Sequence, residues 1–136
     1  KNEIYKKLLL QMSAADLSKE VKETLIKLKQ MGLRLAIGSS SKNAGIILRQ
    51  IGLEYFFDAV SDGNLIQKSK PDPEVFLKAS EMVGVNPKDC LVVEDAKAGV
   101  EAAAAAGMDC AAIGDAMKSN PVAYNLYSFS DLLTVT

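Results

Sequence analysis

Apolar positions along the chain fall into two spacings that alternate from one segment to the next. Lys1 to Met12 sets Ile4, Leu8 and Leu9 among Lys and Tyr at helical intervals, and Ser13-Ala14-Ala15-Asp16 breaks the pattern. A second helix starts near Asp16 or Ser18 and carries Val21, Leu25, Leu28 and Met31 on one face until Gly32 stops it. Leu33 to Ile37 is then a short, mostly apolar run ending in Gly38-Ser39-Ser40-Ser41, which reads as a strand feeding a polar turn. The alternation continues with a helix from about Lys42 to Ile51, a short run near Phe57 to Val60 and the loop Ser61 to Pro73. Glu74 to Val83 is a helix stopped by Gly84, and Leu91-Val92-Val93 is a strand closed by Glu94-Asp95. Ala98 to Ala106 makes a small-residue helix ended by Gly107, and Cys110 to Ile113 is a further buried run. The tail from Asp115 is less regular, with a short strand expected at Leu126 to Phe129 and a closing turn at Asp131 to Leu133. Short strands alternating with longer helices predict an α/β fold, a parallel sheet covered by helices on both faces.

Composition narrows what such a sheet serves. With 136 residues, 49% of them hydrophobic, the chain suits one globular domain. Sixteen Lys and Arg against 17 Asp and Glu leave a net charge of −1, so there is no basic excess for nucleic-acid binding. Aromatics make up 6% and Trp is absent, which supplies base-stacking platforms and broad docking faces poorly. The longest apolar stretch, Val100 to Met108, contains Glu101 and Gly107 and falls short of the ~18 residues of a helical span, so no membrane role is expected. Cys90 and Cys110 each begin an apolar run and read as reduced core residues, in keeping with a cytoplasmic setting. Histidine is absent, which removes every Ser-His-Asp, Cys-His and His-metal mechanism from this chain.

In open α/β sheets ligands gather at the carboxyl ends of the strands. After the first strand of the 33–37 region come Ser39-Ser40-Ser41-Lys42-Asn43, a set of hydroxyls, an amide, an ammonium and helix-start N–H groups suited to phosphate; serines there serve equally as helix caps. In the loop Lys68-Ser69-Lys70-Pro71-Asp72-Pro73, two prolines stiffen the backbone that carries Lys70. Such a lysine neutralises a phosphoryl group, or simply sits solvated beside a proline-rich helix start. Glu94 and Asp95 are adjacent acids at the mouth of a buried strand, where like charges need a cation or donors to meet them; Mg²⁺ is one such cation, and a helix cap at Asp95 is the structural alternative.

The order of these segments, Ser after one strand, Lys after the next and an acid pair after the third, resembles the haloacid dehalogenase superfamily of phosphoryl-transfer enzymes. The stretches Gly38-Ser39-Ser40-Ser41-Lys42-Asn43, Ser69-Lys70-Pro71-Asp72-Pro73-Glu74-Val75-Phe76 and Val93-Glu94-Asp95-Ala96-Lys97-Ala98-Gly99-Val100 are most similar to its β-phosphoglucomutase branch. The resemblance implies a three-layer α/β/α Rossmann-like sheet and a sugar-phosphate substrate. It assigns the transferring phosphoryl group to Ser39 and Lys70, with Ser40 in the same turn, the substrate's other phosphate to Ser41, Lys42 and Asn43, and Mg²⁺ to Glu94 and Asp95. The family's Asp-x-Asp motif, which supplies the nucleophile and its acid/base partner, does not occur in this sequence. The resemblance therefore implies a core incomplete at the N-terminus, with 1–16 as a remnant of a helical cap and connector and 17–136 as a core lacking its first strand. Such a chain is expected to be inactive alone, and to close the gap directly, exchange a strand within a dimer, or retain an N-terminal piece. A sugar-phosphate phosphatase and a non-enzymatic phosphate-binding module are the alternatives.

Overall fold

The structure, a computed structural model, describes residues 7–10, 19–118 and 122–136. Its order is β1 (Lys7–Leu10), α1 (Lys19–Gln30), β2 (Arg34–Gly38), α2 (Ala44–Gln50), β3 (Ala59–Ser61), α3 (Glu74–Val83), β4 (Cys90–Glu94), α4 (Lys97–Ala105), β5 (Asp109–Ile113), β6 (Tyr124–Leu126) and α5 (Leu132–Val135). These six strands form one sheet in the order β3-β2-β1-β4-β5-β6, every neighbouring pair parallel.

A parallel sheet must bury both faces, and the strands alternate accordingly. Leu35, Ile37, Leu91, Val93 and Ala111 join Leu25 and Leu28 of α1, Leu48 of α2 and Leu132 of α5 on one side. Ala36, Val92, Cys110 and Ala112 join Val75, Phe76 and Ala79 of α3 and Val100 and Ala103 of α4 on the other. The result is the three-layer α/β/α arrangement, with alanines on α4 and β5 letting helix and sheet approach closely. Cys90 and Cys110 are buried within the second cluster as thiols, not joined in a disulfide, and burial pushes the Cys110 thiol up to about 12.

Three expectations change. Residues 7–10 form a strand, not part of a helix, and this strand stands between β2 and β4, with Leu10 level with Ile37 on one side and Val93 on the other. The unbroken run Leu8-Leu9-Leu10 is what a central parallel strand takes, and β2 and β4 each offer it a full row of backbone partners. No gap is left for direct closure of β2 on β4. The rest of the expected 1–12 helix, the break at Ser13 to Asp16 and the expected start of the next helix near Asp16 or Ser18 lie outside the described residues. Met31 was expected on the buried face of α1 but is 44% exposed, because the helix ends at Gln30. The last strand lies at Tyr124–Leu126, earlier than expected, where Ala123 N–H donates to Cys110 O at 2.8 Å and sets the register on β5.

Candidate active site

The three segments singled out in the sequence meet at the carboxyl end of the sheet. β2 ends at Gly38, β4 ends at Glu94, and the loop before α3 brings Lys70 across both. Together Ser39, Ser40, Ser41, Ser69, Lys70, Glu94 and Asp95 line a cleft of about 320 Å³, closed on one side by Ala96, Ala98 and Gly99.

Lys70 is the link. Its Nζ donates to Glu94 Oε2 at 3.0 Å and to Gly38 O at 3.1 Å, and its backbone N–H donates to Ser40 Oγ at 3.3 Å. The lysine side chain is 10% exposed and the glutamate 1%, so this is a buried ion pair. The other Glu94 oxygen, Oε1, accepts from the N–H groups of Asp95 and Ala96 at 3.1 and 3.2 Å. Burial pushes the Glu94 carboxyl above its ordinary range, and the charge and hydrogen bond of Lys70 pull it back only in part. The carboxylate fits because position 99 has no side chain: a Cβ on Gly99 would lie 1.9 Å from Glu94 Cδ.

The serine turn is ordered by its own hydroxyls. Ser39 N–H donates to Ser61 O at 2.9 Å, while Ser39 Oγ accepts from Ser41 N–H at 3.1 Å and Ser41 Oγ from Asn43 N–H at 3.0 Å. Ser39 is buried, and among the described residues its hydroxyl proton and the Ser40 N–H have no acceptor. Lys42 and Asn43 are exposed and do not line the cleft. Lys42 packs at Gly63, its carbonyl accepts from Asn64 Nδ2 at 3.0 Å, and Asn43 stands at the start of α2 without a side-chain cap bond. The turn thus divides: Ser39 to Ser41 belong to the cleft, whereas Lys42 turns toward the 62–64 loop and Asn43 is exposed at the start of α2.

The acid pair divides as well. The cation that meets Glu94 is the Lys70 ammonium, while Asp95 is exposed at the cleft mouth. Among the described residues no group of three or more His, Cys, Asp or Glu comes together to hold a metal. One committed carboxylate and one open one are hard oxygen donors of the right chemistry for Mg²⁺ but too few to make its site.

Ser69, Gly99, Gly38 and Phe76 belong to the site and were not singled out individually in the sequence. Each sits inside a quoted motif, but only a folded backbone reveals which glycine faces a carboxylate and which faces a ring.

The haloacid dehalogenase-like hydrolase family model matches residues 1–113. The chain belongs to that family. β-Phosphoglucomutase of Bacillus subtilis is 38% identical over 114 residues, covering 84% of this chain and 50% of that protein. Fructose-1-phosphate phosphatase YqaB of Escherichia coli is 42% identical over 77 residues, covering 57% of this chain and 41% of the relative. The crystal structure of β-phosphoglucomutase from Clostridium difficile superposes with a TM-score of 0.79 at 29% identity, covering 89% of this chain and 54% of the other. The chain thus spans about half the length of the relatives it matches, and the haloacid dehalogenase-like core accounts for its parallel sheet with helices on both faces.

Proposed function

We propose that this chain is the phosphate-gripping core of a phosphoryl-transfer enzyme acting on sugar phosphates, with β-phosphoglucomutase, which converts β-glucose 1-phosphate to glucose 6-phosphate, as the first reading. The observation that carries it is the ammonium of Lys70, held beside the Ser39–Ser41 turn by Glu94 and the Gly38 carbonyl. The Ser39 hydroxyl and the Ser40 N–H donate to phosphoryl oxygens, and the nearly buried Lys70 ammonium balances their charge. Glu94 keeps Lys70 in place and Asp95 stays open to solvent.

What the chain does not supply is an acceptor. Transfer through an aspartyl phosphate needs a carboxylate that attacks phosphorus as the P–O bond to the sugar breaks, and an acid that protonates the departing sugar oxygen. The sequence after Leu10 continues Gln11-Met12-Ser13 and holds no Asp-x-Asp. The 136-residue chain is therefore expected to bind phosphate without turning substrate over. The Mg²⁺ that the resemblance implies would need oxygen ligands beyond Glu94 and Asp95.

A sugar-phosphate phosphatase is the second reading. It is favoured by the 42% identity to the E. coli phosphatase and by the position of Lys42 and Asn43, which a mutase would need for a second phosphate and which stand outside the cleft. The two separate in one experiment: the chain is mixed with a separately expressed segment carrying an Asp-x-Asp strand, and β-glucose 1-phosphate is added. Appearance of glucose 6-phosphate supports the mutase, and release of inorganic phosphate supports the phosphatase. Phosphate binding with no turnover under any complementation would leave a binding module and contradict both enzymatic readings.

A further inference from the structure

The Lys70 ammonium has an aromatic face among its described partners. Besides the Gly38 carbonyl and Glu94 Oε2, its Nζ stands over the Phe76 ring, 4.7 Å from the centroid. Phe76 lies in the first turn of α3 and is fully buried, at 0% exposure. The ring reaches that place because residue 38 has no side chain: a Cβ on Gly38 would come within 2.7 Å of the ring carbons Cδ1 and Cε1. The same glycine thus offers its carbonyl to the ammonium from one side and opens the space for the ring that supports it from another.

The two kinds of contact differ in what they demand. A hydrogen bond to Gly38 O or Glu94 Oε2 fixes the direction of an N–H bond, and redirecting that bond to a phosphate oxygen gives the contact up. Attraction to the negative face of a ring depends on where the charge sits and hardly on which way its N–H bonds point. A ring beneath the ammonium therefore holds it at the cleft while its hydrogen bonds are exchanged for those of an incoming anion.

We infer that Phe76 is a positioning residue for the Lys70 ammonium, holding it through its ring face at the point where a phosphoryl group is bound. The role at the phosphoryl group rests on the phosphate reading of the cleft, whereas the contact itself does not.

The test replaces Phe76 site-specifically with mono-, di- and trifluorinated phenylalanine in the 136-residue chain, which drains the ring face of electron density at nearly constant shape. Phe76→Leu and Phe76→Tyr complete the series. Two quantities are read: affinity for inorganic phosphate, and the NMR signals of the Lys70 Cε protons, which a ring beneath them displaces upfield. The inference expects displaced Lys70 signals in the unmodified chain and their return toward ordinary lysine values in Phe76→Leu. It expects phosphate affinity to fall stepwise with fluorination, to fall about two- to thirtyfold in Phe76→Leu, the span of exposed to desolvated cation–π contacts, and to be retained in Phe76→Tyr. Undisplaced Lys70 signals in the unmodified chain, or phosphate affinity flat across the fluorinated series, would overturn it. Displaced signals that relax in Phe76→Leu, in a chain that binds no phosphate at all, would support the positioning and overturn the phosphate reading instead.

Discussion

The molecule has a roomy apolar hollow and a smaller polar cleft, and they lie at different places on the fold. The hollow, about 500 Å³, runs between α1 and the end of α2 and is lined by Leu25, Ile26, Leu53, Tyr55 and Phe56, with Lys22, Arg49 and Glu54 on its rim. The cleft at the strand ends is about 320 Å³. On the rim of the hollow, Arg49 pairs with Glu54 at 3.2 Å, with side chains 65% and 37% exposed. In the cleft, Lys70 and Glu94 pair at a similar distance but almost out of reach of water. Volume does not mark the site. What marks it is charge held in a low-dielectric setting by groups that leave it no other place to go.

The comparison breaks most sharply at Glu94. Replacing it with Ala strands a buried ammonium, and we expect a loss of about 3–5 kcal/mol in stability by urea denaturation. The matching change in the hollow, Arg49→Ala, should cost no more than about 1 kcal/mol, since exposed pairs are screened. Equal costs at the two positions would erase the distinction.

Gly99→Ala comes next. Its new methyl would occupy the place of the Glu94 carboxylate, so the helix start or the acid must shift, at about 1–3 kcal/mol, the usual cost of overpacking. Phosphate affinity should fall with it, because Lys70 loses the partner that fixes its position. A Gly99→Ala chain with unchanged melting and unchanged phosphate affinity would mean that the carboxylate is not held where the structure places it.

A smaller effect concerns pH. Because burial raises the Glu94 carboxyl above 4.5 in the folded chain, the native state takes up this proton at higher pH than the unfolded state does. As pH falls from neutral through the folded value toward 4.5, the Glu94 contribution therefore makes the chain more stable, and outside that window it is flat. The difference in unfolding free energy between the native sequence and Glu94→Gln should carry that slope. A difference that runs the other way would show Lys70 outweighing burial.

How much of this was legible in the sequence follows from what each feature depends on. The ends of β2 and β4 and the Lys70 loop show themselves as polar or acidic residues directly after apolar runs, and parallel topology brings such residues to one edge. The ion pair does not show itself: Lys70 and Glu94 stand in different βα units, and Glu94 looks like one half of an acid pair awaiting a metal. Nor does the split of the serine turn, since the side toward which Lys42 turns is set by Gly63 and Asn64 in a distant loop. At residues 7–10 the spacing of Ile4 and Leu8 matches a helix while Leu8-Leu9-Leu10 matches a buried strand, and the sheet partners on both sides decide between them. Met31 falls just beyond the end of α1 and the last strand starts two residues earlier than expected, as element ends commonly shift when tertiary contacts set them.

The most direct measurement is a titration of the isotopically labelled chain with inorganic phosphate, followed residue by residue by NMR and repeated with Lys70→Ala. The account predicts shifts gathered at Ser39, Ser40, Ser41, Lys70 and Asp95, none at Leu53 to Phe56 around the hollow, and at least a tenfold weaker response without the Lys70 ammonium. Shifts centred on the hollow, or an unchanged response in Lys70→Ala, would contradict it.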